Sequence, residues 1–403
     1  MKSRERVIKA LRHQEPDRMP IDFGAMRSTG IMAIAYNHLK RHLGIETGAT
    51  RLYDTGQQLA EVEEQVRQRF GVDVVDLTYT FPDAPIPNPE WRPWTLPDGS
   101  PCLAPADWRP EPDGEGGWVR RDDEGRVVAR MPRDVLYFEG CYHPLENATT
   151  LADVDAYDWP VVDDERLEYL HERAKWLYHN TDYAIMAPFG GNILERGQGL
   201  RGWDSFLMDL VGNRPFADYL MDKMVEAHVR NLERFFAAVG DYIQIVQMGD
   251  DLGTQDRPQL RPEVYRETIH PRHKVVYQWV HTHYPNVAVF LHCCGSVYDL
   301  VPDLIDEGVD ALNPVQTSAA KMDPVALKAS FGDRITFWGG GCDTQSVLPN
   351  ATPEEVRRHV RERVAIFKPG GGYVFNQVHN VQANVAPENV VAMFEAALES
   401  AAY

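Results

Sequence analysis

The sequence predicts an α/β fold, a (β/α)₈ barrel, and two observations predict it. Short runs of β-branched and aromatic residues recur eight times, and most of them precede a longer segment of helical period. Strands that alternate with helices form parallel β/α units, and eight repeats favour a closed barrel over an open sheet. The predicted strands are 19–23, 72–77, 183–187, 242–248, 287–291, 311–315, 335–338 and 372–376. We expect residues 1–403 to form one domain.

Two of the intervening helices carry recognisable start signals. Arg261, Pro262 and Glu263 open an amphipathic run that we expect to continue as a helix to Tyr284. Thr352, followed by a proline and two glutamates, predicts a helix N-cap with proline in the first turn.

Residues 81–159 lack the alternation of strand and helix patterns seen in the rest of the chain, and we expect them to form an inserted β-ribbon. This stretch is rich in Pro, Gly and Trp and contains DG and EG turn dipeptides. Three roles stay open for it: a cap over the barrel mouth, a dimerisation arm, or a decoration without function.

The amino-acid composition and net charge limit the classes of molecule that the protein is expected to bind and the compartment in which it is expected to occur. The formal net charge of −19 argues against nucleic acid and against an anionic membrane surface, because both attract clustered Lys and Arg. The first twenty residues contain no long apolar run and mix acids with bases, so we expect neither a signal peptide nor a membrane anchor. Five cysteines, few and odd in number, fit a reducing compartment, and we expect a cytoplasmic protein.

Polar residues concentrate just after the predicted strands, where barrel enzymes build their active sites. Asp250 and Asp251 follow the fourth predicted strand. We expect one of them to cap a helix and the other to hold a ligand histidine or to act as an acid/base group. We expect four glutamines to bind the substrate through neutral amides, or else to satisfy one another: Gln247, Gln316, Gln345 and Gln377.

The sequence His292-Cys293-Cys294 is the sharpest local signal for a metal site. Residues i and i+2 at a strand end can point to the same side and present an imidazole and a thiolate to one Zn²⁺ ion. A third ligand could come from Cys342 or His379, which both follow later strands. The alternative is that the two cysteines are small buried apolar residues and that the histidine is a hydrogen-bonded core residue.

With these residues, the sequence resembles the uroporphyrinogen decarboxylase superfamily and, within it, the methylcobamide-dependent methyltransferases that act on thiols. The resemblance covers nearly the whole chain. It rests on RERV at 4–7, EPDRMP at 15–20, GDDLG at 249–253, HCCG at 292–295 and APEN at 386–389.

The resemblance implies zinc ligands at His292 and Cys294, because the methyltransferases use a His-x-Cys pair and a distant Cys. Their distant Cys follows the last barrel strand, where this sequence has His379. The set is therefore His/Cys/Cys with Cys342, His/Cys/His with His379, or a site that has lost its metal. Uroporphyrinogen decarboxylases also carry an Arg-rich N-terminal segment, and here the corresponding loop, residues 24–30, retains only Arg27.

The activity that the resemblance implies is methyl transfer between a methylated corrinoid and a thiol or another small acceptor. The methylcobamide would serve as methyl donor or acceptor on a separate corrinoid-binding protein, and zinc would activate the acceptor as its thiolate. One alternative is a metal-free decarboxylase or lyase in which Asp250 or Asp251 protonates the carbon that loses carbon dioxide. Another is a corrinoid- or tetrapyrrole-binding protein without catalytic chemistry.

Overall fold

The barrel is built around a curved parallel sheet. A computed structural model describes residues 1–81, 84–86 and 89–403. Within these residues, seven strands pair in parallel, each with its neighbour in chain order. They are Val74–Asp76, Ala184–Gly190, Ile245–Gly249, Ala288–His292, Ala311–Asn313, Thr336–Trp338 and Tyr373–Val374. The predicted (β/α)₈ barrel class is confirmed, and seven of the eight predicted strands lie in this sheet.

The eighth predicted strand, residues 19–23, closes the barrel with an isolated bridge instead of a full strand. Ile21 pairs in parallel with Phe375, and the Ile21 carbonyl accepts the amide of Asp73 at 2.8 Å, so the segment joins both edges of the sheet. Its ladder stays short because Pro20 has no amide hydrogen and because the Ile21 amide donates to the Asp73 carboxylate at 3.0 Å.

The strand ends differ from the prediction by a few residues, and one difference affects the site. The fifth predicted strand extends one residue further and includes His292, whereas the sixth ends at Asn313. Pro314 cannot donate a ladder hydrogen bond, which ends that strand early.

A separate apolar cluster fills the inside of the barrel. It contains inward-facing residues of all seven strands, with the largest contributions from Phe290 and Trp338, whose rings meet edge to face at 5.2 Å between centroids. The N-terminal helix adds Val7 and Ala10 to the same cluster, so it covers the barrel at the end opposite the site. Burying these side chains is the main stabilising contribution of the barrel interior.

Helices surround the sheet. In the described residues they are Ser3–Leu11, Ala33–His42, Glu64–Arg69, Leu151–Asp155, Asp164–Asn180, Leu194–Arg201, Trp203–Gly212, Arg214–Val239, Pro262–Thr268, His270–His283, Val301–Glu307, Pro324–Phe331, Val347–Asn350, Pro353–Phe367 and Pro387–Glu399. The predicted capping of Pro353–Phe367 is confirmed: the Thr352 hydroxyl accepts the Glu355 amide, and the Glu355 carboxylate accepts the Thr352 amide at 2.8 Å.

The helix predicted to run from Pro262 to Tyr284 is two helices, and the prediction of one continuous helix is wrong. The first ends at Thr268 and the second begins at His270. Pro271 lies in the first turn of the second helix, and a proline in a helix interior would remove one hydrogen bond and clash with the preceding turn.

The insertion is an antiparallel β-ribbon, as predicted. Two small sheets make it up: Trp91–Thr95 with Pro101–Pro105, and Glu111–Pro112, Trp118–Arg121, Val127–Met131 and Glu139–Gly140. The predicted range 81–159 includes residues 82, 83, 87 and 88, which lie outside the described residues. The ribbon is tied to neighbouring loops by backbone hydrogen bonds from Phe138 to Gly56 and from Leu145 to Leu200.

None of the helices in the described ranges is both long enough and apolar enough to cross a membrane.

Candidate metal site at the barrel mouth

His292 is the last residue of its strand and is oriented by the next strand. It lies opposite Asn313 in the parallel register, and its Nδ1 is 2.6 Å from the Asn313 Oδ1. An amide oxygen can only accept, so Nδ1 carries a proton, and in the neutral ring the lone pair is therefore on Nε2. That Nε2 faces the barrel mouth, where the Ser28 hydroxyl lies 3.2 Å away. Asn313 therefore fixes the tautomer that a metal-binding histidine needs.

Cys294 lies on the same side of the chain as His292, and Cys293 lies on the other. The Cys294 Sγ is 3.3 Å from the His292 Nε2. Cys293 is buried in the main core, and its sulfur accepts the amide of Leu252 at 3.3 Å. Burial and then the nearby Asp251 carboxylate raise the pKa of the Cys294 thiol well above its ordinary value.

His379 completes a cluster of three potential ligands. A nitrogen of His379, a nitrogen of His292 and the Cys294 sulfur all lie within 4.8 Å of one another. Zinc bonds of about 2.0–2.3 Å in a tetrahedral arrangement put two ligand atoms of one ion roughly 3.3–3.8 Å apart, so ligand atoms within 4.8 Å of one another need only a small shift to share an ion. Burial and then His292 lower the pKa of His379 to about 4, which keeps the imidazole in the neutral form that binds metals.

Cys342 lies apart from this cluster. It is fully buried within the main hydrophobic core, and its thiol points to its neighbour's carbonyl, that of Asp343, at 3.9 Å. Burial raises the pKa of the Cys342 thiol, as expected for a thiol in an apolar environment. The structure therefore brings His379, and not Cys342, to the two ligands predicted from the His-x-Cys pattern.

The two adjacent aspartates have different surroundings. Asp250 is fully buried, and its carboxylate accepts the amides of Ile193, Leu194 and Glu195 at 2.7–2.9 Å. It thereby caps the helix Leu194–Arg201, which precedes its own strand in the chain. His273 Nε2 contacts the same carboxylate at 2.9 Å. These contacts engage both carboxylate oxygens of Asp250.

Asp251 faces the candidate metal site. Its Oδ1 accepts the amide of Cys294 at 2.7 Å and lies 3.8 Å from the His292 Nε2. The Asp251 amide donates to Glu195 at 3.0 Å. Burial, followed by Asp250 and Asp251, raises the pKa of Glu195 to about 7, so a second carboxyl group near the mouth can hold a proton at neutral pH.

Most of the predicted substrate-binding side chains are held by the protein itself. Gln377 is buried and donates to the carbonyls of Thr29 and Gly30 at 2.8 and 3.1 Å. Arg27 pairs with Asp54 at 2.6 Å, although 68% of its side chain is exposed. The other three glutamines bind protein groups: Gln247 the Met248 carbonyl, Gln316 the Gly295 amide and Gln255, and Gln345 the Ser318 hydroxyl.

A protein-family model matches the chain, and it belongs to the superfamily that the sequence motifs indicate. The family model described as "Uroporphyrinogen decarboxylase (URO-D)" matches residues 141–400, more than half of the chain. The chain belongs to the URO-D family. This confirms the resemblance at the level of the superfamily.

Individual relatives of this URO-D chain are distant. A uroporphyrinogen decarboxylase of Alkalilimnicola ehrlichii is 23% identical over 97% of this chain and 93% of its own length. One from Psychromonas ingrahamii is 35% identical over 86 residues, 21% of this chain and only 22% of that relative's length. The structure of a "methyltransferase from Methanosarcina mazei" covers 99% of both chains with a TM-score of 0.60 at 15% identity. At that identity the likeness shows a shared fold.

Three residues that contact this site, and one buried carboxyl group at the end of another barrel strand, were not predicted from the sequence as functional residues. Ser28 and Asn313 touch His292, Glu195 touches Asp251, and Asp76 ends the strand Val74–Asp76. Burial raises the pKa of Asp76 to about 6 although the amide and hydroxyl of a neighbouring threonine donate to it. Asn313 and Asp76 end their strands in the structure, and both lie within predicted strands, 311–315 and 72–77, so their place near the carboxyl ends of barrel strands was a usable signal for both. Ser28 lies in a 3-10 turn, Arg27–Thr29, and Glu195 lies in the first turn of the helix Leu194–Arg201, and the sequence does not show that either segment turns toward the site.

Proposed function

We propose that this URO-D family protein is a zinc-dependent methyltransferase that moves a methyl group from a methylated corrinoid to a thiol or another small acceptor. The observation that carries the proposal is the cluster of His292, Cys294 and His379, in which all three potential ligand atoms lie within 4.8 Å of one another. Two imidazoles and one thiolate form a donor set that Zn²⁺ accepts, and three protein ligands leave one position for a substrate. The full-length structural likeness to a methyltransferase is consistent with this activity.

A bound Zn²⁺ would supply the positive charge that lets an acceptor thiol react as its thiolate near neutral pH. The residues of this chain prepare the site for that ion. Asn313 selects the tautomer of the neutral His292 ring in which Nε2 carries the lone pair, and the low pKa of His379 keeps its ring neutral. Cys294 would release its proton on metal binding, because a thiolate is the ligand form.

Asp251 is the group that we assign to proton transfer. It is the acid next to the cluster, whereas Asp250 has both oxygens engaged in holding the helix Leu194–Arg201 and His273. In the proposed reaction the acceptor thiol gives its proton to the Asp251 carboxylate. A methylated corrinoid would supply the methyl group: the sulfur lone pair would form the S–C bond, and the electron pair of the broken methyl–cobalt bond would leave with the corrinoid. We infer that the corrinoid is presented by a separate corrinoid-binding protein.

Metal analysis of purified variants tests the zinc site. We expect about one Zn²⁺ per chain in the wild type and the loss of most of it in Cys294→Ser, because that substitution removes a ligand. Cys342→Ala and Cys293→Ala are matched controls: both thiols are buried in the core, so both variants should keep zinc at some cost in stability. Zinc loss in Cys342→Ala with retention in Cys294→Ser would contradict the assignment.

A metal-free decarboxylase or lyase is the second candidate, and family membership favours it. In that reaction Asp251 would donate a proton to the carbon from which carbon dioxide has left. Transfer of a methyl group from free methylcobalamin to a small thiol, dependent on added Zn²⁺, separates the two candidates. Wild-type protein that binds no zinc and transfers no methyl group would favour the second.

A further inference from the structure

The insertion reaches the loop that carries His379. The hydroxyl of Tyr137, in the ribbon, donates to the Asn380 Oδ1 at 3.1 Å and accepts from the Gln382 Nε2 at 3.0 Å. The next residue, Phe138, donates its backbone amide to the Gly56 carbonyl at 2.8 Å. One short segment of the insertion therefore contacts both the loop after the last strand and the turn before residue 58.

Asn380 is the residue through which this contact acts on His379. It is fully buried and directly follows His379 in the chain. Its amide nitrogen donates to the Gln57 Oε1 at 2.8 Å, and its oxygen accepts from the Tyr137 hydroxyl and from the Gln382 Nε2, which itself donates to Tyr137. Both ends of the side-chain amide are therefore fixed. A buried amide whose oxygen and nitrogen are both hydrogen-bonded resists rotation, because turning it would break these bonds and leave polar atoms unpaired.

The need for such an anchor follows from where the three potential ligands lie. His292 belongs to a strand, so ladder hydrogen bonds fix its backbone, and the Cys294 amide, two residues further on, donates to the Asp251 carboxylate at 2.7 Å. His379 lies five residues beyond the strand Tyr373–Val374, in a loop. Backbone hydrogen bonds hold that loop at Val378 and Val381, on either side of His379 and Asn380.

We propose that the insertion is a strap for the metal site and that Tyr137 is a positioning residue for His379, acting through Asn380. The proposal rests on the proposed zinc site. Partners that orient a metal ligand typically change metal affinity by about 10–100-fold when they are removed. Tyr137 does not touch the potential ligand atoms. Removing its hydroxyl should therefore change the geometry of the ligands and increase the mobility of the loop that carries His379.

Tyr137→Phe tests the strap, with Tyr142→Phe as its matched control. Tyr142 lies in the same insertion and is 39% exposed, and its hydroxyl makes no hydrogen bond among the described residues. Hydrogen–deuterium exchange of the metal-free proteins should show faster exchange in peptides covering 376–382 for Tyr137→Phe alone, with peptides covering 288–295 unchanged. Zinc titration against a competing chelator should show at least about tenfold weaker binding for the same variant.

A spectroscopic measurement separates positioning from a general loss of structure. Co²⁺ loaded into the site reports ligand geometry through its visible absorption bands, and we expect these bands to change in Tyr137→Phe and to stay unchanged in Tyr142→Phe. Equal exchange in the two variants, or faster exchange with unchanged zinc affinity, would overturn the role of Tyr137. Wild-type protein that binds no zinc would instead overturn the metal site, and the exchange measurement would still decide whether Tyr137 anchors the loop.

Discussion

At the scale of single residues, His273 is a buried histidine held between carboxylates. Its Nε2 contacts Asp250 at 2.9 Å, and its Nδ1 lies 3.5 Å from Glu307. The Tyr265 hydroxyl is 3.3 Å from the same Nδ1, and the ring of Tyr277 stacks on the imidazole. Burial alone would lower the pKa of His273, but Glu307 and Asp250 outweigh it and raise the pKa to about 9. His273 thus stays protonated and supports the carboxylate that caps the helix Leu194–Arg201.

This histidine predicts a pH dependence of stability. The pKa of His273 is about 9 in the folded protein and roughly 6.5 in the unfolded chain. The stabilisation that protonated His273 gives the folded state is therefore fully present below about pH 6.5 and is lost as the pH rises through about 9. The shift corresponds to about 3 kcal/mol at most. In urea titrations, the difference in unfolding free energy between the wild type and His273→Gln should shrink from pH 6 to pH 9.5. A difference that stays constant over this range would argue against a protonated His273.

The site shows at the residue scale what the sequence could and could not predict. The His-x-Cys spacing was enough to place His292 and Cys294 on one side, because strand alternation is local. The choice between Cys342 and His379 depends on which side of a loop faces the barrel axis, and spacing along the chain does not fix that. The partnership of His292 with Asn313 depends on the register between two strands, which a single sequence does not show.

At the scale of elements, the barrel could be predicted because its signals are local and repeated. Buried parallel strands read as apolar runs, and they were found where they were expected. The break between Thr268 and His270 was missed although Pro271 was visible, since the amphipathic pattern continues across it. Residues 19–23 form one bridge because the Asp73 side chain takes the amide of Ile21, a long-range contact that strand propensity cannot show.

The loops after neighbouring strands also touch backbone to backbone beside Cys294. Gly295 has a φ of +89°, and a Cβ added to it would lie 2.5 Å from the carbonyl carbon of Gly253. The Ser296 amide donates to the Thr254 carbonyl at 2.8 Å, so these two loops are also hydrogen-bonded to each other. A side chain at Gly295 would push the loop carrying Cys294 away from its neighbour.

Gly295→Ala should therefore damage both stability and metal binding. Gly44 is the matched control, because it has a similar positive φ of +68° but open space where its Cβ would go. We expect Gly44→Ala to cost about 1–2 kcal/mol from backbone strain alone, and Gly295→Ala to cost roughly 1–3 kcal/mol more from the clash. Urea denaturation and zinc content measure the two effects. Equal losses in the two variants, with zinc retained in both, would show that the loop contact does not support the site.

At the scale of the whole molecule, the distribution of charge predicts which substrates the proposed site would bind. The chain carries 60 acidic and 41 basic residues. Three arginines follow the first and third predicted strands, and each already binds another side chain in the described part of the chain. Arg27 binds Asp54, Arg201 binds Asp209 at 2.9 Å, and Arg196 binds the Tyr157 hydroxyl at 3.2 Å. A small neutral or singly charged acceptor fits these surroundings better than a polyanion does.

Uroporphyrinogen should accordingly bind weakly or not at all, although the protein belongs to the URO-D family. Each buried carboxylate of a polycarboxylate substrate must be paired or hydrogen-bonded, and unpaired burial costs several kcal/mol per charge. Freeing Arg27 or Arg201 for this purpose would leave Asp54 or Asp209, both largely buried, without a partner. An assay of anaerobic uroporphyrinogen turnover, with a dedicated uroporphyrinogen decarboxylase as the positive control, should show no coproporphyrinogen formation above buffer. Turnover comparable to the control enzyme would contradict this charge argument, and with it the preference for methyl transfer to a small acceptor.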